Sequence, residues 1–269
     1  MFENEFNLSF NLHKAYTDIG ISVDDRQKMA CIYDLSQEEL TAALERFACE
    51  NRQNAETLEK EFGPLAVNSQ KEFRIAYLGD SITSYRMSYR CILGELIGER
   101  PNVSVHDFSI SGLKVSDLFT AYYPGICDFA PNIAVMMIGT NDMRITDDEY
   151  AYTHTPIEHF YRDYAYLVDK LTRARCTVIA VTLPPFCMEK MNVALDGWKI
   201  LYQQKTAAEY DAAICEIAQK YNAVLVDMRE VYPQYDAAQI TIEDGLHLNS
   251  HGHYLLTREI LPKLAPLLA

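Results

Sequence analysis

Residues 73–83, FRIAYLGDSIT, place a serine, Ser81, directly after an apolar run of strand length. From residue 73 onward, such apolar runs alternate with segments of helical period, which is typical of a parallel sheet joined by crossover helices. The predicted strands are residues 73–78, 103–108, 132–138, 177–183 and 223–226. The predicted helices are residues 85–97, 115–128, 156–172, 202–221 and 251–268. The predicted fold class is therefore α/β, with a five-stranded parallel sheet.

Residues 1–72 do not share this alternation. Residues 36–39, SQEE, form a capping box, and the run from there to Phe62 has apolar residues on one face of a long polar helix. We predict a helical N-terminal extension over residues 1–72, followed by an α/β domain over residues 73–269. Two roles are open for the extension: packing on the α/β domain, or contact with a second copy of the chain in a homo-oligomer.

The charge of the chain argues against two classes of partner. Its formal net charge is -14, and no run of Lys or Arg is longer than two residues, so the sequence lacks the basic surface that binds nucleic acid or anionic membranes. The longest apolar stretches, such as residues 133–138, are far shorter than the ~20 residues of a membrane-spanning helix. We expect no nucleic-acid partner and no membrane insertion.

The cysteines and the start of the chain bear on its compartment. The seven cysteines are scattered and form no C-x-x-C pair, which favours free, buried thiols over disulfides or a zinc site. The first residues are acidic and lead into no apolar segment of the kind that marks a secretory signal. The expected location is the cytoplasm.

Chemically useful side chains follow the predicted strands. Ser81 follows the first strand, Gly112 the second and Asn141 the third, while Asp244 and His247 precede the last helix. Ligands of open parallel sheets bind outside the carboxyl ends of the strands, so these residues are expected to converge on one edge. A serine, a histidine and an aspartate are the minimum set for acyl transfer through a serine.

Each of these residues also has an ordinary structural interpretation. Ser81 suits the N-cap of the next helix, Asn141 suits an Asx turn, Gly112 suits any loop, and His247 can cap the final helix. Their joint occurrence, in this order and at these strand ends, favours the catalytic interpretation.

The four blocks resemble those of the SGNH hydrolases, also called the GDSL esterase/lipase family. They are residues 79–81 (GDS), 109–112 (SISG), 139–142 (GTND) and 244–247 (DGLH), and they occur in the order of that family. The similarity covers about residues 73–268. It implies a three-layer α/β/α fold of flavodoxin-like winding and an enzyme that hydrolyses carboxylic esters.

The resemblance also implies a role for each site residue. Ser81 is expected to be the nucleophile, His247 the general base and Asp244 the carboxylate that orients the imidazole. The oxyanion hole is expected to consist of the backbone N–H groups of Ser81 and Gly112 and the side-chain amide of Asn141. No cofactor and no metal are expected. For Asp80 and Asp142, a structural role in the turns is favoured over a chemical one.

Three further features are relevant to function. His247, His251 and His253 are close in sequence, but their placement at the start of a helix disfavours a metal site. Two segments, residues 143–155 with Tyr150 and His154 and residues 184–199 with Phe186 and Trp198, are candidates to shape the pocket or to act as lids. Arg144 is a candidate for meeting a negative part of the substrate, with a surface salt bridge as the favoured alternative.

The sequence leaves the substrate open. Without a long hydrophobic lid, a small-molecule ester with a short acyl group, or an O-acetyl ester of a carbohydrate, is favoured. The alternatives are a thioesterase or lysophospholipase that takes longer acyl chains, and a non-catalytic binding module of the same fold. A lapsed enzyme would be expected to lack Ser81, Asn141, Asp244 or His247, and this chain has all four.

Overall fold

A computed structural model describes residues 2–14, 25–147, 152–194 and 201–269. All five predicted strands are present in one sheet. The strands, numbered along the chain, are β1 (Phe73–Gly79), β2 (Val103–Asp107), β3 (Ile133–Met137), β4 (Ile145–Asp147), β5 (Tyr152–Thr153), β6 (Thr177–Val181) and β7 (Val224–Val226). The main sheet has the order β2-β1-β3-β6-β7 and all of its pairs are parallel, while β4 and β5 form a separate antiparallel pair. This winding is flavodoxin-like, as predicted.

Helices cover both faces of the sheet and complete an α/β/α arrangement. They are α1 (Phe2–Ser9), α2 (Arg26–Ile32), α3 (Gln37–Phe62), α4 (Ser81–Ser84), α5 (Tyr89–Ile97), α6 (Val115–Asp117), α7 (Tyr123–Phe129), α8 (Ile157–Arg173), α9 (Met188–Ala194), α10 (Gln204–Lys220), α11 (Ala237–Ile240) and α12 (Ser250–Leu268). One core lies between the sheet and α7, α8 and α10, and the other between the sheet and α3, α5 and α12.

The inner strand β1 contributes to both cores. Ala76 and Leu78 lie in the first core, whereas Ile75 and Tyr77 lie in the second, because successive side chains of a strand point to opposite faces. All four are 1% exposed or less. A strand that is buried on both faces has a continuous apolar sequence, and this pattern predicts β1 from the sequence.

Two predicted helices differ from the observed ones. The helix predicted over residues 85–97 begins at Tyr89, because Ser88 is extended and donates from its hydroxyl to the carbonyl of Thr83. The short α4 precedes it and starts immediately after β1. The helix predicted over residues 115–128 is interrupted by a π-helical turn at Leu118–Tyr122.

The N-terminal extension is helical, as predicted. The capping box at Ser36 is formed, and α3 ends at Phe62, before the C-cap Gly63, whose φ of 82° favours glycine. Ala55 and Leu58 of α3 lie in the same core as α5 and α12, so the long helix packs on the α/β domain. A smaller apolar cluster, which includes Leu8, Met29, Leu40 and Phe47, holds the extension together.

All seven cysteines are free. The expectation that they are buried is wrong for most of them, since only Cys176 and Cys187 are buried and Cys31, Cys49 and Cys127 are exposed. These three lie on helices. Residues adjacent in sequence point in different directions from a helix, so apolar neighbours in the sequence do not predict that a cysteine is buried. In the described part of the chain, no helix has the length and apolar character needed to cross a bilayer.

Candidate active site

Ser81 is the first residue of α4, at the carboxyl end of β1. The N-cap of this helix is Asp80, whose Oδ1 accepts the backbone N–H of Ile82 at 3.0 Å. The interpretation of Ser81 as the cap is therefore wrong, and the structural role predicted for Asp80 is confirmed. Burial raises the pKa of the Asp80 carboxyl to about 6. With the cap supplied by its neighbour, the Ser81 hydroxyl is available for other contacts.

The structure brings Ser81, His247 and Asp244 into one hydrogen-bonded row. Ser81 Oγ lies 2.7 Å from His247 Nε2, and His247 Nδ1 lies 2.5 Å from Asp244 Oδ2. Because a carboxylate only accepts, the network assigns the imidazole proton to Nδ1, which leaves Nε2 to accept from the serine hydroxyl. The His247 and Asp244 side chains are 15% and 18% exposed, so the row is sheltered but open to a ligand.

A tight turn positions Asp244 and His247. Asp244 Oδ1 accepts the backbone N–H groups of Leu246 and His247, at 2.9 and 3.0 Å, which fixes the carboxylate beside the imidazole. Gly245 has a φ of 71°, and a Cβ there would lie 2.5 Å from the carbonyl oxygen of Cys187. The helix that follows is capped by Asn249, so the interpretation of His247 as a cap is wrong.

Lys190 of α9 holds the segment that leads into this turn. Its Nζ donates to the carbonyl oxygens of Ala238, Thr241 and Ile242 at 2.7, 2.9 and 3.2 Å. Sequence reasoning did not find this residue, because a lysine that serves three carbonyls far along the chain leaves no local pattern.

The environment of Asp244 favours its ionised form. Burial acts to raise its pKa, but the hydrogen bond and charge of His247 and the two backbone N–H groups outweigh burial, so the pKa lies below its ordinary value. The carboxylate is therefore charged at neutral pH and can stabilise a protonated imidazole beside it.

Gly112 lies in the loop after β2, near the start of α6. Its φ of 84° is in the left-handed region that favours glycine, and no atom lies within 4 Å of the position a Cβ would take. The backbone here is exposed and open to close approach by a ligand. In the described ranges, we find no protein acceptor for the backbone N–H of either Ser81 or Gly112.

Asn141 is buried after β3, and its amide is oriented by two partners. Nδ2 donates to the carbonyl of Leu113 at 3.0 Å, and Oδ1 accepts from Nη2 of Arg144 at 2.8 Å. An amide nitrogen carries two hydrogens, so one remains for a ligand. Asn141 is not in a local Asx turn. Arg144, whose Nε also lies 3.2 Å from the Tyr202 hydroxyl, forms no salt bridge with any of the described residues, and its contact with a negative part of the substrate stays a prediction.

Asp142 connects the loops after β2 and β3. Both of its carboxylate oxygens accept the backbone N–H of Val115, at 3.3 and 3.1 Å, which confirms a structural role. Burial raises the pKa of Asp142 to about 7, although hydrogen bonds from Thr155 and Val115 oppose the rise.

The three histidines near the end of the chain have separate environments. His253 is fully buried, and its Nδ1 accepts the backbone N–H of Tyr89 at 3.3 Å. Burial lowers the pKa of His253 to about 3, so it is neutral. His251 is exposed and stacks on Tyr254. Within the described ranges, no three His, Cys, Asp or Glu side chains are grouped as a metal site.

The two segments proposed to shape the pocket are only partly described. Met143 and Ile145 are buried, and β4 pairs with β5. In the second segment, Phe186 and Met191 are buried as packing residues of the core. Tyr150 and Trp198 lie outside the described residues, so the proposed lid role of these segments stays a prediction.

Comparison with known proteins assigns the chain to a family. The model of the GDSL-like lipase/acylhydrolase family matches residues 77–255, which include all four blocks. The chain belongs to this family. The predicted family and the predicted class of ester-bond hydrolase are thereby confirmed, and the alternative of a non-catalytic module is set aside.

Individual relatives are distant. The chain is 22% identical, over 204 residues, to an isoamyl acetate-hydrolyzing esterase of Schizosaccharomyces pombe, with 74% of this chain and 78% of that protein covered. Among solved structures it is similar to an acetyl xylan esterase, with TM-score 0.57, 19% identity, and 71% and 99% of the two chains covered. A lipase/acylhydrolase from Enterococcus faecalis gives TM-score 0.58 and 18% identity, with 73% and 97% covered. These structures support the fold.

Proposed function

We propose that this hydrolase of the GDSL-like family is a serine esterase that cleaves short-acyl carboxylic esters, including O-acetyl esters of carbohydrates, through an acyl-enzyme on Ser81. The observation that carries the proposal is the row Ser81–His247–Asp244, with 2.7 and 2.5 Å between successive side chains. These distances are within reach for direct proton transfer from the nucleophile to the base.

In the acylation step, Ser81 Oγ attacks the carbonyl carbon of the ester while its proton moves to His247 Nε2. The imidazole then carries a positive charge, which the Asp244 carboxylate stabilises. The negative oxygen of the tetrahedral intermediate meets the backbone N–H groups of Ser81 and Gly112 and the free amide hydrogen of Asn141. The carbon–oxygen bond to the alcohol breaks, and the alcohol leaves with the proton from Nε2.

Deacylation repeats these steps with water as the nucleophile. Water gives a proton to His247 Nε2 and attacks the acyl carbon, and the same donors stabilise the second tetrahedral intermediate. The bond to Ser81 Oγ then breaks, and the proton returns to that oxygen. The products are a carboxylic acid, an alcohol and the original enzyme, so no cofactor is consumed.

The short acyl group is supported by the relatives. The yeast relative is named for an acetate ester and the structural neighbour for acetyl groups on xylan. A series of p-nitrophenyl esters of increasing acyl length tests this part. We expect the highest kcat/KM at two to four carbons, about the size of acetate and butyrate. A maximum at about eight carbons or more would favour the thioesterase or lysophospholipase alternative.

The nucleophile is tested with a fluorophosphonate, which labels activated serines. We expect stoichiometric labelling of the wild type on the peptide that contains Ser81, and none for Ser81→Ala. Ser116→Ala is a matched control, because Ser116 lies on α6 and is partly exposed. Equal labelling of the wild type and Ser81→Ala would remove Ser81 from the mechanism.

A further inference from the structure

Residues 8–14, here called the N-terminal strap, lie against the candidate active site. The carbonyl oxygens of Leu8 and Ser9 accept from Nε and the backbone N–H of Arg86, at 3.0 and 2.8 Å. The carbonyl oxygen of Phe10 accepts from the Ser111 hydroxyl at 3.0 Å. The strap is therefore attached to the loop after β2, one residue before Gly112.

The strap is also attached to α4 and to the end of β2. Asn11 Nδ2 donates to the carbonyl of Ser84, in the helix that begins with Ser81, at 2.7 Å. Lys14 Nζ lies 2.5 Å from Asp107 and 3.2 Å from the carbonyl of Ser109. The Lys14 and Asp107 side chains are only 11% and 16% exposed, so this ion pair is sheltered from water. The strap thus contacts one of the four family blocks, residues 109–112, and the helix α4 that begins with Ser81 through polar groups.

Phe10 connects the strap to the proposed base. Its ring lies 4.4 Å from the His247 ring, centroid to centroid, and stacks on Tyr85 at 4.7 Å. Tyr85 in turn stacks on the buried His253 at 5.5 Å. Phe10 is 2% exposed, so its ring is fixed between these neighbours. The imidazole of His247 is therefore in contact with a buried aromatic ring.

The two ring nitrogens of His247 form hydrogen bonds with Ser81 and Asp244. Both bonds lie at the edge of the ring, so they leave the rotation of the ring plane about the line between them poorly defined. The Phe10 ring, packed against the imidazole, restricts this rotation. An aromatic pair contributes about 0.5–1.5 kcal/mol beyond its buried area. Small displacements of a reacting group reduce rates strongly, by about a hundredfold for 1 Å.

We propose that Phe10 is a positioning residue for His247, and that the N-terminal strap is thereby a part of the active site. The inference rests on the proposed function, because it assigns His247 the role of general base. The family match begins at residue 77, so the strap is an addition of this chain to the part that the family model covers.

The test uses the full-length chain with Phe10→Ala, Phe10→Leu and the control Phe47→Ala. Phe47 is a buried phenylalanine of α3 in the cluster that holds the extension together, so the control makes the same change in the same region. For each variant, kcat and KM for p-nitrophenyl acetate and the rate of fluorophosphonate labelling are measured where circular dichroism shows the protein to be folded.

We expect Phe10→Ala to lower kcat and the labelling rate together by about tenfold, with KM changed by less than about twofold. Phe10→Leu restores bulk beside the imidazole and is expected to recover most of the loss, while Phe47→Ala stays within about twofold of the wild type. If Phe10→Ala does not fold, Phe10→Leu and Phe10→Val carry the test, with the smaller valine expected to be slower.

Three results would overturn the inference: wild-type kcat and labelling in Phe10→Ala, a rise of KM alone, or equal losses in Phe10→Ala and Phe47→Ala. A rise of KM alone would make Phe10 a wall of the substrate pocket. Failure of the proposed function looks different, because the wild type would then not label at Ser81 at all.

Discussion

At the scale of single residues, Arg144 connects the proposed oxyanion donor Asn141 to Tyr202. Its Nη2 donates to Oδ1 of Asn141, and this contact determines which side of the amide presents hydrogens. We expect Arg144→Ala to lower kcat for p-nitrophenyl acetate by about tenfold, with a smaller change in KM, because the amide can then rotate away from the developing oxyanion.

The control for this prediction is Arg173→Ala. Arg173 is exposed on α8 and pairs with Asp169, one turn away, so its loss is expected to leave kcat unchanged. Unchanged kinetics of Arg144→Ala would mean that Leu113 alone suffices to orient the amide of Asn141.

The residues of the proposed site differ in how far the sequence could indicate them. Ser81, Asn141, Asp244 and His247 were predictable, because few residue types perform acyl transfer and each occurs at a strand end or a loop. The contact of Phe10 with His247 was not, because aromatic side chains are common in ordinary cores and carry no mark of such a neighbour. Arg144 was a candidate from its position next to Asn141, but its partner depends on side-chain placement that sequence spacing does not determine.

At the scale of elements, α9 stabilises the turn that carries Asp244 and His247. Lys190 donates to three carbonyl oxygens of the preceding segment, and in Lys190→Met all three lose this hydrogen bond, while the carbonyls of Thr241 and Ile242 keep a second donor. We expect a loss of unfolding free energy on the order of 1–3 kcal/mol, measured by urea denaturation, together with a lower kcat.

Lys205→Met is the matched control for Lys190→Met. Lys205 is exposed on α10, and its replacement is expected to change the unfolding free energy by less than about 0.5 kcal/mol. Equal urea midpoints for the two variants would contradict a role of Lys190 in holding the turn.

Gly245 gives a second prediction at this scale. Its φ of 71° and the carbonyl of Cys187, 2.5 Å from the position of a Cβ, leave no room for a side chain. We expect Gly245→Ala to displace Asp244 and to lower kcat by about tenfold or more, with a stability cost on the order of 1–3 kcal/mol.

Gly94→Ala is the control for Gly245→Ala. Gly94 is exposed within α5, and nothing lies within 4 Å of its Cβ position, so alanine is expected to stabilise the helix by about 0.5–1 kcal/mol with kcat unchanged. Both variants are compared by thermal melts and by the hydrolysis of p-nitrophenyl acetate. Wild-type kinetics of Gly245→Ala would show that the turn tolerates a side chain.

The elements themselves were largely predictable, and their exceptions have physical causes. The inner strands β1, β3 and β6 have buried apolar side chains on both faces, which gives a strong signal even in short runs. The break before α5 was missed because Ser88 fits either a helix start or a helix interior by composition. Its hydroxyl bond to the carbonyl of Thr83 decides between them only in the folded chain.

At the scale of the whole molecule, the extension and the α/β domain share a core, and the strap lies against the candidate active site. The reported structural neighbours are covered over 97–99% of their own length but over only 71–73% of this chain. The α/β part was therefore predictable from motifs of a known family. The placement of the strap was not, because it depends on polar contacts between residues that are far apart in sequence.

The buried carboxyl of Asp142 makes the stability of the molecule depend on pH. Burial raises its pKa from the ordinary 3.8 to about 7 in the folded state. Between these values the folded chain holds a proton that the unfolded chain releases, so this contribution to stability is complete below about pH 4 and is lost as the pH rises to 7.

Asp142→Asn cannot titrate at this position and isolates the effect. We expect the unfolding free energy of the wild type to fall, relative to the variant, on going from pH 4 to pH 7, by about 1.4 kcal/mol for each unit of the pKa shift. Urea denaturation at several pH values measures this difference, and Asp128→Asn, an exposed carboxyl of α7, reports the effect of removing one charge. A difference between the wild type and Asp142→Asn that stays constant over this range would mean that Asp142 is ionised in the fold. In that case the backbone N–H of Val115 and the Thr155 side chain would outweigh burial, and the link between the loops after β2 and β3 would be a charged one.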